Sequence, residues 1–174
     1  VRLTLLFGVL QLVIMLGVGA ATLTVVRSTV KEMVAKESRE MVGTITDATE
    51  LLISSGAAEM GDVDSMLSVV RRLVLNRKIG ETGFYFVLHP DGEYLVHPNE
   101  TVEGKNWKDT HDFINYIVSN SSASQEQRFI RYISPKTGEW KQVYFEEVQG
   151  PGWIICSSAW EHEMYAPIEM IMFI

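Results

Sequence analysis

Two cations and three phenols stand on segments that read as strands, and they are the residues of this chain best equipped to hold a small anion. Arg131 and Lys141 supply the charge. A guanidinium fork suits a planar carboxylate, whereas an ammonium acts as a point charge. Tyr85, Tyr132 and Tyr144 each offer an O–H carried on an apolar ring. Trp107 stands in a polar loop, where an aromatic needs something to cover, and His97 ends a strand-like run just before Pro98. Alternation along a strand puts Arg131 and Tyr132 on opposite faces, so at most one of them reaches a given ligand. All of these residue types also have plain structural uses: a strand cation ion-paired or solvated, a tyrosine bonded to backbone, a histidine closing a strand. Trp140 and Trp153 read as packing residues.

Catalytic and metal chemistry find less support. Glu146 and Glu147 are adjacent on a strand and point opposite ways, so they cannot act as one carboxylate pair. Gly104-Lys105 lacks the glycine spacing of a phosphate loop. Ser157-Ser158 has no motif that places a base beside it. His111 between Asp109 and Asp112 reads as a polar helix start, where acidic groups favour the dipole. The chain therefore reads as a non-enzyme with no cofactor. With 15 Lys and Arg against 22 Asp and Glu, the formal charge is −7, and no basic stripe suggests a nucleic-acid partner. Cys156 is the single cysteine, which excludes an intrachain disulfide framework and reads as a small buried apolar residue.

These candidates sit in a polar stretch bracketed by two apolar ones. Leu3 to Val26 carries no charge and is flanked by Arg2 and Arg27, a length that spans a hydrocarbon core of about 30 Å. Residues 1–27 are expected to be a retained membrane helix rather than a cleaved signal, because the helical pattern runs on past Arg27. A second apolar run starts at Met164, and residues 164–174 read as the start of a second membrane helix. The chain opens on Val1 and stops inside that run, as an excised piece of a longer protein would. Between them, residues 28–163 are enough for one domain with a core.

From Ser28 to about Ser55 a stripe of Val30, Val34, Met41, Ile45, Ala48 and Leu52 predicts a helix that packs on the domain, on a second subunit, or on both. Ser65 to about Asn76 predicts a second helix and Lys78 to Gly83 a turn. The period then changes. Strands are expected at Phe84–His89, Tyr94–His97, Gln127–Ser134, Trp140–Glu147 and Trp153–Ala159, with a polar loop at Asn99–Asp109 and a short helix around Phe113 to Val118. Two helices, then five strands with one helix inserted, is α+β with an antiparallel sheet. A two-residue Asp91-Gly92 turn would pair His89 with Tyr94, Leu88 with Leu95 and Phe86 with His97. Phe86, Leu88, Leu95 and His97 then share one face; Tyr85, Val87, His89 and Val96 share the other. His89 and His97 thus fall on opposite faces, which argues against a shared metal ion. A ligand side would carry either Tyr85 or His97.

This order of elements resembles the single-Cache family of extracytoplasmic sensor domains, whose sheet is PAS-like. The resemblance rests on Thr82-Gly83-Phe84-Tyr85-Phe86-Val87 before Asp91-Gly92, His97-Pro98, Gly104-Lys105-Asn106, Arg131-Tyr132, Ser134-Pro135-Lys136-Thr137-Gly138, Lys141 with Tyr144, and Gly152-Trp153-Ile154-Ile155. Trp160-Glu161-His162-Glu163 departs from the Gly-x-Tyr that often ends the last strand. The family occurs in bacterial chemoreceptors, sensor histidine kinases and cyclic-dinucleotide enzymes. The resemblance implies a long N-terminal helix and a five-stranded sheet flanked by membrane helices, in the bacterial inner membrane with the domain periplasmic. It implies a short carboxylate ligand of the acetate, propionate, pyruvate or lactate type, held by residues among Tyr85, His97, Trp107, Arg131, Lys141 and Tyr144. A homodimer through the N-terminal helices is expected. Two rival readings are a ligand-free structural dimerisation domain and a hydrolase or metalloenzyme.

Overall fold

The computed structural model describes residues 2–55 and 63–164. The apolar segment and the amphipathic segment after it form one helix, α1, Arg2–Ser54, of 53 residues and about 80 Å. From Phe7 to Val26 its apolar part is exposed, and α1 is long and apolar enough to cross a membrane. Helix α2 is Val63–Leu75. The strands follow: β1 Lys78–Ile79, β2 Gly83–Leu88, β3 Tyr94–Val96, then helix α3 Asp112–Ser119, β4 Phe129–Ile133, β5 Trp140–Glu147 and β6 Ile154–Trp160. The apolar run expected after Met164 falls on residues 165–174, outside the described residues.

The sheet is antiparallel, in the order β1-β2-β6-β5-β4, with β3 paired to β2. It has six strands, not five: the expected turn at Lys78–Gly83 contains β1, paired through Lys78↔Phe84 and Ile79↔Gly83. The chain doubles back so tightly that a Cβ at Gly83 would lie 2.4 Å from the Ile79 carbonyl oxygen. The last strand, β6, lies in the middle of the sheet between β2 and β5.

The hairpin register differs from the expected one. The Gly92 N–H donates to the His89 carbonyl and the His89 N–H to the Glu93 carbonyl, so the loop is Pro90-Asp91-Gly92. Proline favours the first turn position, Asp91 accepts the Glu93 N–H on Oδ1, and Gly92 takes φ +98°. That is a type I turn closed by a left-handed glycine, which carries three residues where a primed turn carries two. Leu88 then pairs with Tyr94 and Val87 with Val96, and Leu95 is the extra residue of a bulge. Tyr94 rather than Leu95 shares the face of Phe86 and Leu88.

Two cores result. On one face α1 and α2 cover the sheet through Val42, Ile45, Val70 and Val74, packed on Tyr85, Val87, Tyr144 and Ile155. The α1 stripe is shifted from the expected one. Ile45 is buried as expected, but Ser38, Thr46 and Thr49 are buried beside it, with the Thr49 hydroxyl donating to the Ile45 carbonyl. The outward side of α1 beyond the apolar segment carries Lys36, Glu37, Glu40, Thr44 and Asp47. On the other face α3 and the Asn99–Asp109 loop cover Phe86, Leu88, Tyr94, Val143, Phe145 and Cys156.

Candidate functional site

Strand pairing assigns the faces. Tyr132, Lys141 and Trp160 are consecutive cross-strand partners on β4, β5 and β6, and Val143, Ser158 and Phe84 are the next such row. Directly opposed residues share a face, so all six look toward α3 and the Trp107 loop.

On that face the side chains close a circuit. The Lys141 Nζ lies 5.3 Å from the Phe84 ring centroid, and Phe84 meets His97 edge-on at 5.0 Å. His97 meets Tyr94 at 5.4 Å and Tyr94 meets Trp107 at 5.3 Å. Trp107 stacks on His111 at 4.9 Å, and His111 abuts Phe113 at 5.7 Å. Phe113 stacks on Tyr132 at 4.3 Å, and Tyr132 pairs across the strands with Lys141. β6 runs beneath with two small buried residues, Cys156 and Ser158. The circuit has aromatic walls and one permanent cation.

Electrostatics mark Lys141 within it. Burial pulls its ammonium below the ordinary lysine range, Glu163 pulls the other way, and Lys136 adds to the lowering. Among the described residues no carboxylate lies within ion-pair distance of its Nζ. His97 is held below the ordinary imidazole range, first by burial and also by Lys141, against the pull of Asn99 and Glu103. Its Nδ1 lies 3.0 Å from the Asn99 N–H and 3.3 Å from the Asn99 carbonyl oxygen, so the Asn99 backbone holds the ring by that nitrogen. Burial pushes the Tyr132 hydroxyl up to about 12 and the Tyr94 hydroxyl further. Among the described residues neither hydroxyl makes a hydrogen bond to the protein. Both therefore remain protonated donors at neutral pH.

The six residues singled out from the sequence divide evenly between the faces. His97, Trp107 and Lys141 belong to the circuit. Tyr85 is buried on the α1 side, its hydroxyl pushed up to about 12 by burial. Tyr144 is on that same side, tilted against Phe129 at 4.7 Å, with the Arg39 guanidinium 5.6 Å from its ring centroid. Arg131 is exposed on that face as well, held by Glu161 at 2.6 Å and lying 3.7 Å over the Trp140 ring. These three lie on the α1 side of the sheet and are not part of the circuit. Tyr94, Phe113 and Trp160 join the circuit without having been singled out. Alternation separates Arg131 from Tyr132 without saying which of them faces the circuit; the topology puts Tyr132 there.

A carboxylate braces the rim. Glu103 accepts two hydrogen bonds from Arg71 of α2, at 2.8 and 2.7 Å, and the His97 N–H at 2.7 Å. Burial pushes the Glu103 carboxyl up, but these donors outweigh it and hold it below the ordinary carboxylate range. A group so lowered stabilises the fold fully above its unfolded pKa, and that contribution is lost as pH falls through the folded value. Glu103→Gln is expected to cost about 2 kcal/mol at pH 7, the partial exposure of Arg71 limiting the effect. The difference in Tm between wild type and variant should shrink as pH is lowered from 6 to 3; a difference that stays constant would show that the carboxylate charge is not what matters.

The Cache 3/Cache 2 fusion domain family matches residues 60–173, more than half of the chain. The chain belongs to this family. Cache domains are extracytoplasmic sensor domains of membrane receptors that bind small ligands. The Cache fold is shared with a methyl-accepting chemotaxis protein from Vibrio parahaemolyticus at TM-score 0.61 and 17% identity, over 82% of this chain and 98% of that one. A Cache chemosensory domain whose structure was described as a basis for carboxylic acid recognition aligns at TM-score 0.63 and 16% identity, over 77% of this chain and 97% of that one. A periplasmic sensor domain of a chemotaxis protein aligns at TM-score 0.57 and 16% identity, over 80% of this chain and 97% of that one. No curated protein matches the chain. The membership agrees with the single-Cache resemblance read from the sequence, and this Cache domain presents its polar circuit on the sheet face opposite α1.

Proposed function

We propose that this Cache domain senses a short monocarboxylate, of the acetate, propionate, pyruvate or lactate type, bound inside the aromatic circuit. In this reading residues 1–27 and the segment from 164 cross the bacterial inner membrane and residues 28–163 form the periplasmic sensor, paired as a homodimer through the N-terminal helices. The output is a cytoplasmic chemotaxis or kinase module. The observation that carries the reading is Lys141: a half-buried ammonium within aromatic walls, with no carboxylate of its own among the described residues. An anion would complete its coordination, and the Tyr132 and Tyr94 hydroxyl donors stand in the same circuit. The carboxylic-acid-binding Cache domain of the same fold supports the class of ligand.

The same geometry argues against amino acids. Glu103 is engaged by Arg71 and His97, and Glu163 by Thr82, so an α-ammonium would meet Lys141 without a counter-charge. Burying an unpaired ammonium costs several kcal/mol. Propionate and alanine have nearly the same skeleton, so titration calorimetry with this pair tests the point. Propionate is expected to bind, and alanine about 100-fold more weakly. Equal or tighter binding of alanine would overturn the monocarboxylate reading. Binding of neither, with no thermal shift from any small organic acid, would favour a ligand-free dimerisation domain.

A further inference from the structure

Three contacts fasten the segment that leaves the sheet. Glu161 bonds Arg131 of β4 at 2.6 Å. Glu163 accepts the Thr82 hydroxyl at 2.6 Å and the Thr82 N–H at 3.0 Å, just before β2. Met164 is buried against the α1-side core. Residues 161–164 are helical and follow directly on Trp160, the last residue of β6. Arg131 and Thr82 are remote from the aromatic circuit in function, since Arg131 lies on the other face and Thr82 in the turn between β1 and β2. Trp160 differs from both. It is the cross-strand partner of Lys141, and the Lys141 Nζ lies 4.2 Å from its ring centroid.

That distance is well inside the reach of a cation–ring attraction, and indole provides the strongest such face. The second aromatic near the ammonium, Phe84, is farther away at 5.3 Å. An ammonium has three donors and a ring satisfies one side of it, so a carboxylate can approach the other side without displacing the ring. The lysine stem is flexible and carries large rotamer entropy, which a seat removes before the ligand arrives. Glu163 and Thr82 fix the segment on which the seat is built.

Resting on the carboxylate reading above, we infer that Trp160 is a positioning residue of the ligand site: its indole face seats the Lys141 ammonium, so the group that holds the anion is held by the residue that begins the exit segment. Occupancy of the site and placement of residues 161–164 are thereby coupled through one cation. Trp160 is not a pocket wall alone, and the departure from the usual end of the last strand at Trp160-Glu161-His162-Glu163 has a specific use.

The test compares Trp160→Leu, Trp160→Phe and wild type in the full chain in detergent, with propionate as probe. Trp160→Leu is expected to weaken binding about fivefold and Trp160→Phe to restore most of it, since a phenyl face keeps part of the attraction. A pH profile separates seating from simple packing. Besides Trp160, the titratable groups facing Lys141 are Tyr132 from β4, His97 from the end of β3, Glu163 from the exit segment and Lys136 from the β4–β5 turn. None of these changes in the variants. Removing the ring withdraws stabilisation from the charged form, so the high-pH loss of propionate binding should move to lower pH in Trp160→Leu and return in Trp160→Phe. Equal affinity and an unmoved high-pH limb in Trp160→Leu would overturn the inference. So would weakening in Trp160→Leu that Trp160→Phe does not relieve. Absence of propionate binding in wild type is a different result: it removes the carboxylate reading, and the seating with it.

Discussion

Lys141→Met is expected to abolish carboxylate binding without weakening the fold. Methionine keeps the unbranched length of lysine and its contacts with Phe84 and Trp160, where a thioether packs well against rings. It removes a charge that burial already disfavours. The Tm in the absence of ligand should therefore be equal to that of wild type or higher. Affinity for propionate should fall about 100-fold, because the anion would lose the one permanent counter-charge in the circuit among the described residues. Arg131→Ala is the control for the face: it lies on the other side of the sheet and reaches the circuit only through the segment that Glu161 fastens, so propionate affinity should fall far less than in Lys141→Met. The reverse pattern, with Arg131→Ala losing binding and Lys141→Met keeping it, would move the site to the α1 side of the sheet.

Gly83→Ala is expected to be the most disruptive single methyl group in the domain. A Cβ there would lie 2.4 Å from the Ile79 carbonyl oxygen, 2.9 Å from the Ile79 Cβ and 3.0 Å from the Ala159 Cβ. Two of these neighbours belong to the tight return between β1 and β2 and the third to the central strand, so none can yield independently. Overpacking against backbone of this kind costs about 3 kcal/mol. For a domain of this size that lowers Tm by about 10 °C. Hydrogen exchange should report where the strain goes. Protection should fall at β1, at the start of β2 and at residues 161–164, which Thr82 fastens, while β4 and β5 keep theirs. A Tm and an exchange pattern like those of wild type would show that β1 is not closely packed on β2.

Local chemistry carried much of the fold into view, and long-range pairing carried the rest out of it. The aromatic and β-branched runs of Phe84 to Leu88 and of Trp140 to Phe145 announce strands without any tertiary information. The Pro90-Asp91-Gly92 loop shows why register is harder. Asp-Gly is the mark of a two-residue hairpin, but a proline before it favours a type I turn, and one extra residue turns Leu95 away from the Leu88 face. The division of Arg131 from Tyr132 is plain from alternation, whereas the choice of ligand face depends on β6 entering between β2 and β5, a pairing across some seventy residues of intervening chain. Glu103 gives no local signal at all. Its partners Arg71 and His97 lie on different elements, and only the folded geometry brings the three together. Lys141 and Trp160 are likewise far apart in sequence and adjacent in the sheet.

The unbroken course of α1 has a mechanical consequence. From the apolar segment to Ser54 it contains no proline, and past Val26 its sole glycine is Gly43, against which Glu146 of β5 packs. A helix without a joint resists both bending and winding. Any small rolling of the sheet against Val42 and Ile45 is then delivered along the whole rod as torque, with no hinge to dissipate it. The outermost turn near Ser54 and the end of the apolar segment at Val26 must rotate together.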